Sequence, residues 1–332
     1  MKMESVSRRT VCWGLGGFAA SFHLRALDQQ FNGGRLSPPD EREKPALLER
    51  PASGIGSIRL VDIAIRQQAF VYKRTPQGNL AAYVFYPPDW NVRDHRPVCG
   101  FFFGGGWRMG TPAQFIPEAE YFASRGMVCV SFDYRKIKKL DEAPEICVED
   151  AKAAIRWLRA HARELGVDPR RVVASGGSAG GQLAAATAFL SAFDDCVEPS
   201  ISCIPDAMVL FNPELDLTGE GFKDETGRSM DRELSPLYSL RKGGPPMILF
   251  YGTADPMLKQ GETAVEESRK LGNVCELYIA EGQPHAFFNL QPWLSLTVIQ
   301  ANEFLRGLGY LKGSPTLRSP DTTVALTKYS DG

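Results

Sequence analysis

The segment Gly176-Gly177-Ser178-Ala179-Gly180-Gly181 sets one hydroxyl among residues with almost no side chain. A strand-like run, RRVVAS, precedes it, and a helix-like run, GGQLAAATAFL, follows. In that setting G-x-S-x-G is the pattern of a sharp strand-to-helix turn that lifts a serine hydroxyl above a sheet. Side chains two residues before and after the serine would strike the strand and the helix, which accounts for Gly176 and Gly180. The start of the helix also points free N–H groups and a partial positive charge at the same spot. The chemistry that suits this arrangement is nucleophilic attack by Ser178.

A serine hydroxyl near neutral pH needs a base. The chain has four histidines: His23, His95, His161 and His285. His23 lies in the amino-terminal segment, His95 in a polar loop and His161 inside a helix-like run. His285, in EGQPHAFFN, follows the strand-like CELYIA and so falls at a strand's carboxyl end, where a base above such a sheet belongs. The imidazole in turn needs an acid to hold its tautomer and its charged form. Asp255 follows the apolar run PMILFY by four positions; Glu214 and Asp216, in NPELDL, are the other acids in range. The order Ser178, Asp255, His285 is the chain order of one known triad arrangement.

A second glycine cluster, FFFGGGWRMG, ends another strand-like run. Its Gly104 and Gly105 N–H groups, with that of Ala179, are expected to hold a developing oxyanion. The lysine and the serine or threonine of a phosphate-binding loop are absent from it.

Around these residues, strand-like and helix-like segments alternate, which implies one doubly wound, mostly parallel α/β sheet with helices on both faces. The runs PVCGFFF, MVCVSFD, RRVVAS, DAMVLF, PMILFY and CELYIA are apolar on both faces, as covered parallel strands should be. AFVYKR and LAAYVFY flank a TPQGN turn and predict an antiparallel edge on the N-terminal side. Residues 144–165 carry helical spacing throughout. Residues 1–28 resemble a twin-arginine export signal around Arg8 and Arg9, 29–56 read as a linker, 57–312 as the catalytic domain, 212–245 as a polar insertion near the site, and 313–332 as a loose tail. The 332 residues have a formal net charge of −1, and no basic run makes an electrostatic case for nucleic acid. No apolar run is long enough to cross a membrane as a helix. Seven cysteines lack CxxC spacing, which argues against a zinc or redox site; Cys196 and Cys203 are near enough in sequence to pair.

The pieces FGGGW, SFDYR, VEDAKAAIRWLRAHARELGVDPRRV, GGSAGG, PPMILFYGTADP and EGQPHAFFN together resemble the α/β-hydrolases of the carboxylesterase and acetyl esterase group, near the hormone-sensitive-lipase-like and bacterial feruloyl/acetylxylan-esterase-like branches. The resemblance covers about residues 70–310. It implies the α/β-hydrolase fold and a serine esterase working through an acyl-enzyme, with Ser178 as nucleophile, His285 as base and Asp255 as acid, and with no metal or cofactor. Many such esterases have a histidine before the glycines, where this chain has Phe103. A helical amino-terminal cap is also absent from the pattern. Asp133, Tyr134, Arg135, Glu149 and Asp150 match family positions and read as a buried ionic network. The expected substrate is a small-molecule or carbohydrate ester with a short acyl group, Trp107 and Phe287 lining a shallow pocket. Amide cleavage by the same machinery, or a non-catalytic binding role on the scaffold, are the alternatives.

The amino terminus predicts export, to the periplasm or beyond, and a cytoplasmic enzyme otherwise. Replacing Arg8 and Arg9 by lysine should leave the enzyme in the cytoplasm; cell fractionation checks it, and wild-type protein found uncut in the cytoplasm of its native host sinks the signal.

Overall fold

Apolar, β-branched and aromatic runs build the frame. The computed structural model describes residues 45–49, 56–58, 63–195, 200–320 and 323–330. Residues 1–28, most of 29–56, and Cys196 lie outside the described residues. Arg66–Thr75 (β1) and Gly78–Tyr86 (β2) pair antiparallel. Arg96–Phe102 (β3), Val128–Phe132 (β4), Val167–Gly177 (β5), Ala207–Phe211 (β6), Met247–Gly252 (β7) and Cys275–Ala280 (β8) follow. With Leu326–Lys328 (β9) they form one sheet in the order β1-β2-β4-β3-β5-β6-β7-β8-β9. The neighbours from β4 through β8 are parallel, and β2 meets β4 antiparallel. Every residue of β4, β6 and β7 is buried, because helices cover both faces.

Two layers of helices do the covering. Glu145–Ala160 (α2), Ala179–Phe189 (α4) and Leu258–Lys270 (α5) pack on one face, and Ile116–Ser124 (α1) and Trp293–Gly307 (α6) on the other; the short Ala162–Leu165 (α3) continues from α2. All of α4, AGGQLAAATAF, is buried. Its small side chains let the helix lie close against the sheet directly after Ser178.

Three features differ from the sequence expectation. The helix-like run 144–165 breaks at His161, whose Nδ1 lies 2.9 Å from the Trp157 carbonyl. Arg156, which falls off the apolar spacing of Ile155, Leu158, Ala162 and Leu165, is nevertheless 5% exposed, its guanidinium held by the Asp194 carboxylate at 2.8 and 2.6 Å. The tail from 313 is not loose throughout: β9 pairs antiparallel with β8, Ala280 opposite Leu326. Three residues are too few to mark a strand by pattern, and edge pairing supplies the order. Cys203 is a free thiol, 3.6 Å from the Thr187 carbonyl.

One buried acid sits outside the site. Glu118, on α1, is 1% exposed and its Oε2 has no hydrogen-bond partner. Burial pushes its carboxyl up from 4.5 to about 8. Between those limits the folded chain keeps this proton and the unfolded chain has released it, so Glu118 lowers stability progressively as pH rises through the window. Glu118→Gln, neutral at every pH, should match the wild type's melting temperature near pH 4 and exceed it near pH 8. Thermal unfolding across that range checks this; a gap that does not widen with pH refutes it.

Candidate active site

β5 runs into α4 with Ser178 alone between them, at φ +53° and ψ −124°. A β-carbon at Gly180 would run into the Phe102 and Phe103 carbonyl oxygens, and one at Gly176 into the Gly180 carbonyl. The strand and helix are therefore too close for anything but glycine at both positions. The turn is fixed on three sides. The Ser178 N–H donates to the Phe211 carbonyl at 3.0 Å, and its own carbonyl accepts from Gln182 N–H at 3.0 Å and Glu214 N–H at 3.3 Å.

The loop after β8 brings His285 to the serine. Its Nε2 is 2.9 Å from Ser178 Oγ and its Nδ1 is 2.8 Å from Asp255 Oδ2. Asp255 hangs from the end of β7, its side chain sealed from solvent, and its Oδ1 accepts the Met257 N–H at 2.9 Å. A buried carboxylate acceptor at Nδ1 sets the ring's proton there, leaving the Nε2 lone pair for the serine proton. Ser178, His285 and Asp255, which lie far apart in the chain, thus meet in one hydrogen-bonded line that can transfer a proton off the hydroxyl as it attacks.

Of the other acids, Asp216 turns away: its carboxylate accepts from Thr218 and from the Tyr238 hydroxyl. Glu214 stays near the line without bonding to it. Burial, reinforced by the Glu220 charge, pushes its carboxyl up to about 7.

The sequence reading missed Asn212. It directly follows β6, is fully buried at φ +35°, accepts the Ala286 N–H on Oδ1 at 3.2 Å and sets Nδ2 3.3 Å from His285 Nε2. Asparagine is one of the few side chains that tolerate such a backbone; that is the only trace it leaves in the sequence.

The oxyanion assignment needs correction at Gly104. Its N–H donates to Gln114 Oε1 at 2.7 Å and is not free. The Gly105 and Ala179 N–H groups have no acceptor among the described residues; Ala179 opens the helix directly after Ser178, and Gly105 lies in the loop after β3. Gln114 continues the chain: its Nε2 donates to Asn289 Oδ1 at 3.1 Å, and Asn289 Nδ2 donates to the Ala286 carbonyl at 3.0 Å. The glycine loop and the histidine loop are thereby tied together.

Phe103 is held without a histidine. Its ring stacks on Tyr134 with centroids 4.1 Å apart, and the Tyr134 hydroxyl donates to the Phe103 carbonyl at 2.8 Å. Of the family-matching acids, Asp150 and Glu149 join Arg135 in the network: Arg135 bonds Asp150 at 2.7–3.0 Å and Glu149 at 2.9 Å, and Lys73 reaches Asp150 at 2.7 Å; Asp133 stands outside it, accepting the Tyr134 N–H at 3.0 Å and lying 3.7 Å from Lys136.

Trp107 and Phe287 are not open pocket walls. They are 2% and 3% exposed. The Trp107 indole donates to Gln182 Oε1 at 3.1 Å and packs edge-on against Phe222, anchoring the glycine loop to α4 and the insertion. Phe287 packs edge-on against Trp293.

A nucleophile raised on a strand–helix turn, with its base and acid on later strand ends, defines a serine hydrolase of the α/β type. The profile of the BD-FAE family matches residues 84–204. Carboxylesterase NlhH of Mycobacterium tuberculosis is 31% identical over 258 residues, spanning 69% of this chain and 76% of that one. Esterase 2 of Thermogutta terrifontis, in a structure phosphorylated by paraoxon, is 43% identical with a TM-score of 0.70, covering 75% of this chain and 96% of that one. Its butyrate-bound structure is 43% identical with a TM-score of 0.69 over 74% and 96%. The chain belongs to the carboxylesterases of the α/β-hydrolase family, and it is a carboxylic ester hydrolase. Among the described residues no helix is long and apolar enough to cross a membrane.

The Gln114 tie makes a kinetic prediction. Gln114→Ala removes two hydrogen bonds that tie the glycine loop to the histidine loop without touching Ser178, His285 or Asp255. At about 1 kcal/mol per bond, kcat should fall roughly five- to thirtyfold while KM moves little, because the oxyanion exists only past the ground state. Steady-state kinetics on an aryl acetate check it; an unchanged kcat means the tie is scaffold only.

Proposed function

We propose that Ser178 attacks the acyl carbon, that His285 takes its proton and returns it to the leaving alcohol, and that Asp255 holds the ring. Gly105 and Ala179 N–H groups stabilise the oxyanion, and water, activated by the same His285, releases the acid from the acyl-enzyme. The observation that carries this reading is the unbroken Ser178–His285–Asp255 line at 2.9 and 2.8 Å. The paraoxon-modified relative supports a serine-reactive site of this kind.

The preferred substrates are short acyl esters, acetyl to butyryl, on an alcohol that carries hydroxyl groups, as a carbohydrate ester does. The insertion supports the acyl limit. Most of its large apolar residues, Leu215, Leu217, Phe222, Met230, Leu234 and Leu237, are buried in the protein's own core, and the exposed Tyr238 bonds Asp216, which is turned away from His285, so the insertion offers little to extend an apolar channel. The butyrate-bound relative agrees with a short acyl site.

One set of measurements tests both parts. Wild-type enzyme should be labelled stoichiometrically by an organophosphate at Ser178. Ser178→Ala should take no label, and Ser178→Ala and His285→Ala should each lose on the order of 10⁴–10⁶ in kcat. Across p-nitrophenyl esters, kcat/KM should peak at two to four carbons. A true channel would add about 0.8 kcal/mol per buried methylene, so a maximum at eight carbons or beyond overturns the acyl assignment.

A further inference from the structure

Glu214 has no role in the triad, yet it is placed beside it with unusual firmness. Its own N–H donates to the Ser178 carbonyl at 3.3 Å. The next two N–H groups, of Leu215 and Asp216, both donate to Gln260 Oε1, at 2.7 and 3.0 Å. Two residues earlier Asn212 grips the histidine loop. The backbone is therefore fixed on both sides of a carboxyl that is itself unheld.

The other buried acids of this protein make the contrast. Asp150 accepts from Lys73 and Arg135, Asp231 from the N–H groups of Gly219, Gly221 and Phe222, and Asp255 from His285 and Met257. Glu118 has one oxygen, Oε2, without a partner, but that atom is sealed away from solvent. Glu214 is only 6% exposed, and no donor among the described residues reaches its carboxyl, but its oxygens are not among the sealed atoms. Its tip therefore ends at solvent. The charges acting on it are Glu220 of the insertion, His285 and Asp255, and Arg108 of the glycine loop. His285 and Asp255 are bonded in line with Ser178, and the Glu214 N–H meets the Ser178 carbonyl, so the carboxyl is carried beside that line.

We propose that Glu214 forms a hydrogen-bonding subsite for the alcohol half of the ester, selecting alcohols that carry a free hydroxyl near the esterified oxygen. The inference rests on the ester-hydrolase reading above and names its substrate class. A hydroxyl is the partner that suits this group in either protonation state: it accepts from the neutral acid and donates to the carboxylate. A cationic alcohol such as choline would require the ionised form, which burial opposes. An unpaired buried acid is costly when empty, so a substrate that fills it is favoured over its deoxy analogue.

The test compares kcat/KM for glyceryl 1-acetate and propyl acetate in the wild type, Glu214→Gln and Glu214→Leu. Wild type should prefer the glyceryl ester by roughly ten- to hundredfold, the span of a hydrogen bond to a charged or buried acid. Glu214→Gln, of the same shape and still able to bond, should keep part of that ratio, and Glu214→Leu should bring it to about one. Equal ratios in all three proteins overturn the subsite. So does a wild-type preference for choline acetate over 3,3-dimethylbutyl acetate that disappears in Glu214→Leu, since the site would then be one for cations. Hydrolysis of p-nitrophenyl acetate and organophosphate labelling, run on the same preparations, separate the two readings. If they succeed and the ratio does not move, only the subsite falls; if they fail in the wild type, the serine-esterase mechanism falls and the subsite with it.

Discussion

The close approach of α4 to the end of β3 governs the rest of the molecule. The Phe102 and Phe103 carbonyls stand where a side chain at position 180 would go, so the chain must leave β5 and enter the helix in a single residue. That residue is Ser178, held at positive φ, a conformation that costs a non-glycine residue about 1–3 kcal/mol. The packing of the whole α4 face, all of it buried, stabilises the turn against that strain. In return the hydroxyl stands clear of the sheet at a helix start, where N–H groups have no intrahelical acceptor.

Everything else at the site is brought to that fixed point by loops at the carboxyl ends of neighbouring strands. Asp255 comes from β7, His285 from β8, Asn212 from β6 and the glycine loop from β3. Beneath the glycine loop lies a chain of support. Lys73 and Arg135 neutralise Asp150; the neighbouring Tyr134 stacks on Phe103 and holds its carbonyl. Removing one member of such a buried charged set costs about 3–5 kcal/mol. The network therefore bears on the loop's position from the side of the core.

The strands, the antiparallel N-terminal edge and the meeting of Ser178, His285 and Asp255 were legible because each leaves a local mark: six apolar runs, one G-x-S-x-G, one histidine at a strand end. The supporting amides were not. Gln114, Asn212, Gln182 and Asn289 are uncharged and scattered, and each has a partner far along the chain, as in the 175-residue separation of Gln114 and Asn289. The same blindness misassigned Gly104. A glycine's N–H is counted as free until the side chain that takes it is found. Trp107 erred in the opposite direction: a large aromatic beside the glycines suggested a pocket wall, and the fold uses it as an anchor for the loop.

The pairing of β9 with β8 bears on how copies of this chain meet one another. A sheet ends in two rows of unpaired backbone groups, and a flat apolar row invites another sheet to continue it. At one end β1 is irregular, with a register shift between Val71 and Lys73, and carries the inward-paired charge of Lys73. At the other, Leu326–Lys328 lie along β8 and pair with Tyr278, Ile279 and Ala280. Colloidal behaviour thus depends partly on the short β9 segment, remote from the chemistry. Affinity tags and truncations placed there act on solubility before they act on catalysis.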